Sequence, residues 1–206
     1  MSRSPYLSSA PSVSVIMLKV MLALVPAIAA YVWVFGAGIL VMLALASVTA
    51  LAAEALMLKL RNRPIKPFLM DGSALLTAWL LALSLPPLAP WWLVVVGTFF
   101  AIVIAKQLYG GLGYNPFNPA MVGYAVLLIS FPVIMTHWPA PLELAQAKLS
   151  FANQLQYIFG TTNGLSLDAV SMATPLDYLK TQFESDKALL AQFSKFYFNP
   201  PYQGLI

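Results

Sequence analysis

The chain has 206 residues, of which 60% are apolar and only 9% are charged, and its mean hydropathy is +0.80. A soluble domain has about 25% charged residues, so this composition excludes a water-exposed globular fold and predicts an all-α polytopic membrane protein. The absence of cysteine excludes disulfides, thiolate metal sites and iron–sulfur ligation. The net charge of +4 does not indicate nucleic-acid binding, because the basic residues cluster in short connections between apolar segments.

Five apolar segments predict transmembrane helices, for which about 17–20 helical residues are needed. They run from about Val20 to Phe35, Ile39 to Leu58, Ser73 to Leu88, Trp91 to Tyr109 and Pro119 to Thr136. Residues 1–19 then form an N-terminal segment, 20–136 a transmembrane domain and 137–206 a more polar segment. Ala27-Ile28-Ala29 has the form of a signal-peptidase site, but the apolar run continues unbroken to Phe35, which favours an anchor helix.

The charges of the connections predict the orientation of the chain in a bacterial inner membrane. Basic residues crowd the second connection: Lys59, Arg61, Arg63 and Lys66. Because such residues remain in the cytoplasm, the N-terminus is predicted inside, and five crossings place residues 137–206 in the periplasm. Four tryptophans fall at the predicted outer interface, where indoles accumulate: Trp33, Trp91, Trp92 and Trp138.

The stretch Gly110–Ala120 interrupts the helical pattern with three glycines and two prolines. Asn118 before Pro119 predicts a helix N-cap followed by proline at the first helical position. The Asn-Pro-Ala triplet also suggests an aquaporin half-helix, but such a pore needs a second copy, and Asn199-Pro200-Pro201 is not one. The stretch is therefore either an ordinary tight loop or the lining of a cavity or cofactor site.

Glu54 and Lys106 are the ionisable residues nearest to the interior of a predicted span. An intramembrane charge is a functional candidate, and both residues are candidates for an ion path. Both also lie near the inner ends of their helices. The alternative is structural anchoring, in which Lys106 extends to the membrane interface and Glu54 lies one to two turns from Lys59.

The segment 137–206 is predicted to contain a short helix from Phe151 to Phe159 and a second from Pro175 to about Tyr197. Thr174 suits the N-cap of the second helix, with Pro175 at the first position and Asp177 in a capping box. A helix start also offers free N–H groups to a phosphate, so a phosphodiester on Thr174 is the alternative, although Asp177 opposes it. The spacing itself names no flavin.

Several runs of the sequence resemble the RnfD protein of the bacterial Rnf ion-translocating electron-transport complex. They are residues 73–77 (SALLT), 85–92 (LPPLAPWW), 104–113 (IAKQLYGGLG), 115–121 (NPFNPAM) and 127–132 (LLISFP). The chain is more distantly similar to the NqrB protein of the sodium-translocating NADH:quinone reductase. The resemblance covers residues 13–180. It implies an Rnf-type ferredoxin/NAD oxidoreductase in which this chain, unlikely to catalyse alone, works in the bilayer with other subunits.

The resemblance also implies a cofactor. In that family a dedicated FMN transferase esterifies FMN through its phosphate to a threonine; the target reads acid, two residues, Ser or Thr, an often small residue, Ala, Thr. The matching residues are Asp168, Ser171, Ala173 and Thr174, while Met172 departs from the small residue. Thr174 is thus expected to carry covalent FMN and to relay electrons on the periplasmic side, coupled to Na⁺ or H⁺ movement. A second, non-covalent flavin is compatible with the resemblance, but the sequence assigns it no residues.

Members of that family continue past this point with a second set of helices, related to the first by an inverted repeat. The chain is therefore expected to be the first half of a ten-helix fold. Two alternatives without a redox group remain open from the sequence. One is a transport or channel subunit, and the other is a structural scaffold in which Thr174 only caps a helix.

Overall fold

The computed structural model describes residues 12–142 and 149–160, all of which belong to one compact unit, Met1–Val170. These residues form helices and loops without a β-strand, so the prediction of an all-α polytopic membrane protein is confirmed. The helices are α1 (Val13–Phe35), α2 (Gly38–Leu60), α3 (Ile65–Leu69), α4 (Ser73–Ser84), α5 (Trp91–Phe99) with its π-helical continuation Phe100–Gln107, α6 (Pro119–Ser130), α7 (Pro132–Thr136) and α8 (Phe151–Phe159). Three helical stretches are long and apolar enough to cross a bilayer: Val13–Phe35, Gly38–Leu60 and Ile65–Ser84.

Helix α2 lies at the centre of the bundle and packs against α4 and α5. Its buried residues recur every three or four positions, as expected for one face of a helix: Ile39, Met42, Leu43, Ala46, Ala50 and Ala53. Helix α1 has no buried residue and lies at the edge of the bundle. Small side chains allow the helix axes to approach closely. A Cβ added to Gly123 of α6 would lie 2.6 Å from the carbonyl oxygen of Gly97 in α5.

The structure differs from the predicted spans at several helix ends. Helix α1 begins at Val13, earlier than the predicted start near Val20, and therefore includes Lys19, which is exposed and can extend its ammonium to the interface. Helix α4 ends at Ser84, before the two prolines that follow Leu85.

The predicted continuous helix from Pro119 to Thr136 is wrong. Helix α6 ends at Ser130 and α7 begins at Pro132, with Phe131 between them at φ −134° and ψ 53°. Proline has no N–H to donate and disfavours helical backbone in the preceding residue, so the helix breaks there. With 12 residues, α6 is about 18 Å long at 1.5 Å per residue. That length is shorter than the roughly 30 Å hydrocarbon core of a bilayer.

Two local predictions are confirmed. The Asn118 side chain accepts a hydrogen bond from the backbone N–H of Ala120 at 3.0 Å, and Pro119 occupies the first position of α6. The short helix Phe151–Phe159 forms as α8. Gln154 of α8 accepts a 2.7 Å hydrogen bond from the backbone N–H of Gly38, which joins α8 to the turn between α1 and α2.

Candidate functional site

The candidate site is a buried ion pair between α2 and the π-helix. Lys106 Nζ lies 2.5 Å from Glu54 Oε1, and the two side chains are each only 2% exposed. Charges taken out of water are costly unless they are paired and hydrogen-bonded, so this contact fixes the two helices against each other. Lys106 does not extend to the membrane interface, and the anchoring alternative is therefore wrong for this residue.

Gln107 and Arg61 complete one side of the ion pair. Gln107 Nε2 donates a 2.8 Å hydrogen bond to Glu54 Oε1, the same oxygen that Lys106 contacts. Arg61 Nη1 donates to the backbone oxygen of Gln107 at 2.9 Å and to its side-chain Oε1 at 3.1 Å. Because a guanidinium can only donate, it orients the Gln107 amide so that its NH₂ group points at Glu54.

Ser73 and Asp71 complete the other side of the ion pair. Lys106 Nζ donates to Ser73 Oγ at 2.7 Å, and Ser73 Oγ donates to Asp71 Oδ1 at 2.5 Å. Asp71 Oδ1 also accepts a 2.7 Å hydrogen bond from the backbone N–H of Ser73, at the start of α4. Asp71 is half-buried, whereas Ser73 is buried. The polar cluster thus reaches from the buried carboxylate of Glu54 toward the end of the bundle that carries the basic loop.

The π-helix explains why two consecutive residues contact one carboxylate oxygen. In an α-helix, neighbouring residues do not face the same partner. A π-helix holds more residues per turn, so the directions of consecutive side chains diverge less, and Lys106 and Gln107 both reach Glu54. Single-turn π segments occur frequently at functional sites.

A cavity of about 250 Å³ lies beside the cluster. Its walls come from α1, α4, the π-helix and the glycine-rich loop before α6, and they include Lys106, Ser73, Asn115 and Asn118. Gly110, Gly111 and Gly113 have positive φ angles, so the loop adopts a backbone that few other residues allow. Of the two sequence-based alternatives for this loop, the structure supports the lining of a cavity.

The structure and the sequence analysis identify partly different residues. Glu54 and Lys106 were candidates separately, and the structure brings them together. Ser73, Gln107 and Asp71 were not identified, because neither a polar residue at a helix end nor the switch to a π-helix has a clear signal in one sequence. The four motif residues lie outside the described residues: Asp168, Ser171, Ala173 and Thr174.

Apolar helices around a buried, hydrogen-bonded ion pair define a multi-pass membrane protein with a polar site inside its bundle. Residues 1–203 match the model of the NQR2, RnfD, RnfE family. The chain therefore belongs to this family.

Curated relatives agree with that assignment, and the three compared here are each named as the D subunit of an ion-translocating oxidoreductase complex. The protein of Escherichia fergusonii is 56% identical over 195 residues, which cover 90% of this chain and 55% of the relative. The protein of Shigella dysenteriae serotype 1 is 53% identical over 98% of this chain and 59% of its own length. The protein of Escherichia coli O1:K1 is 58% identical over 86% and 53%. The chain thus spans somewhat more than half the length of these relatives.

Removing one partner of the ion pair should destabilise the protein more than removing both charges. Glu54→Gln leaves the ammonium of Lys106 buried without a counter-charge, and Lys106→Met leaves the carboxylate of Glu54 in that state. We expect each single variant to lose about 3–5 kcal/mol of unfolding free energy, and the double variant to recover much of that loss. Denaturant unfolding in detergent micelles measures all four proteins. Additive effects of the two substitutions would contradict the direct pairing.

Proposed function

We propose that this chain forms the flavin-bearing and ion-handling part of an RnfD-type subunit of an ion-translocating oxidoreductase complex. The observation that carries this proposal is the identity of 53–58% to relatives named as subunits of such a complex. The chain works with the other subunits of an Rnf-type ferredoxin/NAD oxidoreductase in the bacterial inner membrane. Its electron-transfer steps are coupled to the movement of Na⁺ or H⁺.

The proposed redox group is FMN, esterified through its phosphate to Thr174 by an FMN transferase. The sequence from Asp168 to Thr174 supports this assignment, since Asp168, Ser171 and Ala173 are the residues such a transferase would recognise. When bound, FMN supplies the electron-carrying chemistry, whereas the protein supplies position and electrostatics. Pro175 favours a helix start directly after Thr174, and free N–H groups at such a start stabilise a phosphate.

The cavity beside Lys106 is the proposed position of the second, non-covalent flavin. Its volume of about 250 Å³ is close to the lower end of the roughly 300–1,000 Å³ of small-molecule pockets. Leu76, Leu80 and Leu112 offer apolar surface to a flat ring, and the amides of Asn115 and Asn118 offer donors to its carbonyl oxygens. This composition, a mostly apolar wall with a few polar groups, is typical of cofactor sites.

The buried cluster around Glu54 supports the ion-handling part of the proposal. Ionisable residues inside a membrane bundle are rare, and they commonly line ion or proton paths. Both charges of the pair belong to the described bundle, and the connected residues Ser73 and Asp71 lead from it toward the basic loop.

Replacing Thr174 with valine should abolish covalent flavin, because valine has a similar shape but no hydroxyl to esterify. Mass spectrometry of the Thr174-containing peptide should show the FMN increment in the wild type only, when the protein is produced with the transferase. Electron transfer by the assembled complex should be lost as well. Thr162→Val is the matched control and should keep both properties. Flavin released on denaturation reports the non-covalent site and should be equal in all three proteins.

An unmodified Thr174 peptide from transferase-containing cells would contradict the redox assignment. Solute flux through liposomes by a protein that holds no flavin would favour the non-redox transport subunit. Normal assembly and electron transfer in the Thr174→Val variant would favour the structural scaffold.

The basic loop is proposed to face the cytoplasm, and the segment that bears Thr174 is proposed to face the periplasm. The rings of Phe35 and Trp138, whose centroids lie 6.2 Å apart, form part of an aromatic cluster at the end of the bundle opposite to the basic loop. Aromatic residues favour membrane interfaces, and Lys59, Arg61 and Arg63 favour the cytoplasmic side.

Reporter fusions test this orientation. A phosphatase that is active only in the periplasm should be inactive when fused after Arg63 and active when fused after Thr136. A fluorescent protein that folds only in the cytoplasm should give the opposite pattern. Equal compartments for the two fusion points would mean that an even number of crossings separates them, and the flavin site would need another location.

A further inference from the structure

A continuous row of hydrogen bonds joins the edge of the bundle to the buried carboxylate. It runs from Asp71 through the hydroxyl of Ser73 and the ammonium of Lys106 to Glu54. The three donor–acceptor distances are 2.5, 2.7 and 2.5 Å. Every member of this row can carry an exchangeable proton. Asp71 is half-buried, whereas Ser73, Lys106 and Glu54 are buried, so the row has one end near solvent and one end inside.

The inner end of the row is poorly stabilised as an anion. Oε1 of Glu54 accepts hydrogen bonds from Lys106 and Gln107, but Oε2 is buried and has no hydrogen-bond partner among the described residues. A carboxylate offers about four acceptor positions, and burying an unpaired charged oxygen is costly. A neutral carboxyl group avoids much of that cost. The environment of Glu54 therefore favours a group that changes its protonation during function.

We propose that Asp71, Ser73, Lys106 and Glu54 form a proton-loading relay, and that the cation taken up at this site is H⁺ rather than Na⁺. This inference rests on the proposed function, because it names the ion that the protein takes up from the side of the basic loop. It assigns the relay to loading of Glu54 alone.

The relay conserves protons and charge at each step. Lys106 gives a proton to Glu54, which leaves a neutral amine beside a neutral carboxyl group. Asp71, protonated from solvent, then gives its proton to Ser73 while Ser73 gives its own hydroxyl proton to the Lys106 amine. Asp71 ends as a carboxylate and Lys106 as an ammonium, so the net change is one proton taken from solvent and held on Glu54.

The geometry disfavours Na⁺ at the same position. The ammonium of Lys106 already occupies the place that a metal cation would take on Glu54 Oε1. A sodium ion would have to lie beside that positive charge or displace it from both Glu54 and Ser73. Hard cations also prefer several oxygen ligands, whereas two of the groups on Glu54 are nitrogen donors.

The other charged groups of the surrounding elements lie further from the relay. Arg61, at the end of α2, acts on Glu54 through Gln107. Lys19 of α1 and Lys66 of α3 are exposed. The cavity gives a second surface to Ser73 and Lys106, and the experiment must distinguish entry through the cavity from entry through Asp71.

Time-resolved infrared spectroscopy after a light-triggered pH drop tests the relay in the assembled complex in lipid nanodiscs. The carbonyl stretch of protonated Glu54 should rise in the wild type and be missing in Glu54→Gln. Ser73→Ala removes the hydroxyl, and Asp71→Asn removes the proton carrier but keeps an oxygen acceptor for Ser73. We expect each to slow the rise on the order of 100-fold, a typical contribution of a positioned proton-transfer group.

Three controls make the result specific. Ser73→Thr should restore the rate because it returns a hydroxyl. Ser84→Ala removes an exposed hydroxyl that donates to Leu80 at the other end of α4, and it should behave as wild type. Exchange of NaCl for choline chloride at constant ionic strength should change neither the rate nor the amplitude.

Several results would overturn the relay. They are a missing Glu54 signal, a wild-type rate in Ser73→Ala, or a wild-type rate in Asp71→Asn, which would point to entry through the cavity. Suppression of the signal by Na⁺ would show that the site takes the metal ion instead. Covalent flavin and electron transfer, measured on the same complexes, distinguish these failures from a failure of the proposed function. A complex without both would contradict that function and this inference together.

Discussion

The contact between Lys106 and Glu54 is the constraint on which the rest of the site depends. A cation and an anion cannot be left apart in an apolar bundle, so the two helices that carry them must meet at this point. The π-helix lets Gln107 join the same carboxylate, and Ser73 places the start of α4 against the ammonium. The cavity, the glycine-rich loop and the basic loop are therefore grouped around one buried pair.

This arrangement connects the fold to ion handling in a chain of the NQR2, RnfD, RnfE family. The pair holds the bundle together when both groups are charged, and the unpartnered Oε2 of Glu54 makes the charged state less favourable. A polar site that is stable in one protonation state and tolerable in another is suited to take up and release a cation. The proposed flavin on Thr174 would drive that change, with the second flavin close to Lys106.

Much of the architecture could be predicted from the sequence, since long apolar segments and small polar connections leave few alternatives to membrane helices. The cap at Asn118 and helix α8 were also predictable, because their signals are local. The break at Phe131 was missed although Pro132 signals it, since the apolar run conceals the break. The pairing of Glu54 with Lys106 was not predictable, because 51 intervening residues separate them and only the packing of α2 against the π-helix decides the register. The family motif at Thr174 came from resemblance, and no local rule distinguishes it from a helix cap.

Solid-state NMR in lipid bilayers measures the central contact most directly. Dipolar dephasing between ¹⁵N-labelled lysine Nζ and ¹³C-labelled glutamate Cδ reports whether an ammonium and a carboxylate are in contact. The other glutamates, Glu143 and Glu184, lie outside the described residues, so Glu54→Gln assigns the signal. With Nζ 2.5 Å from Oε1, strong dephasing is expected in the wild type and its loss in Glu54→Gln and Lys106→Met. Dephasing that is absent from the wild type, or that survives both substitutions, would contradict the buried pair and the account built on it.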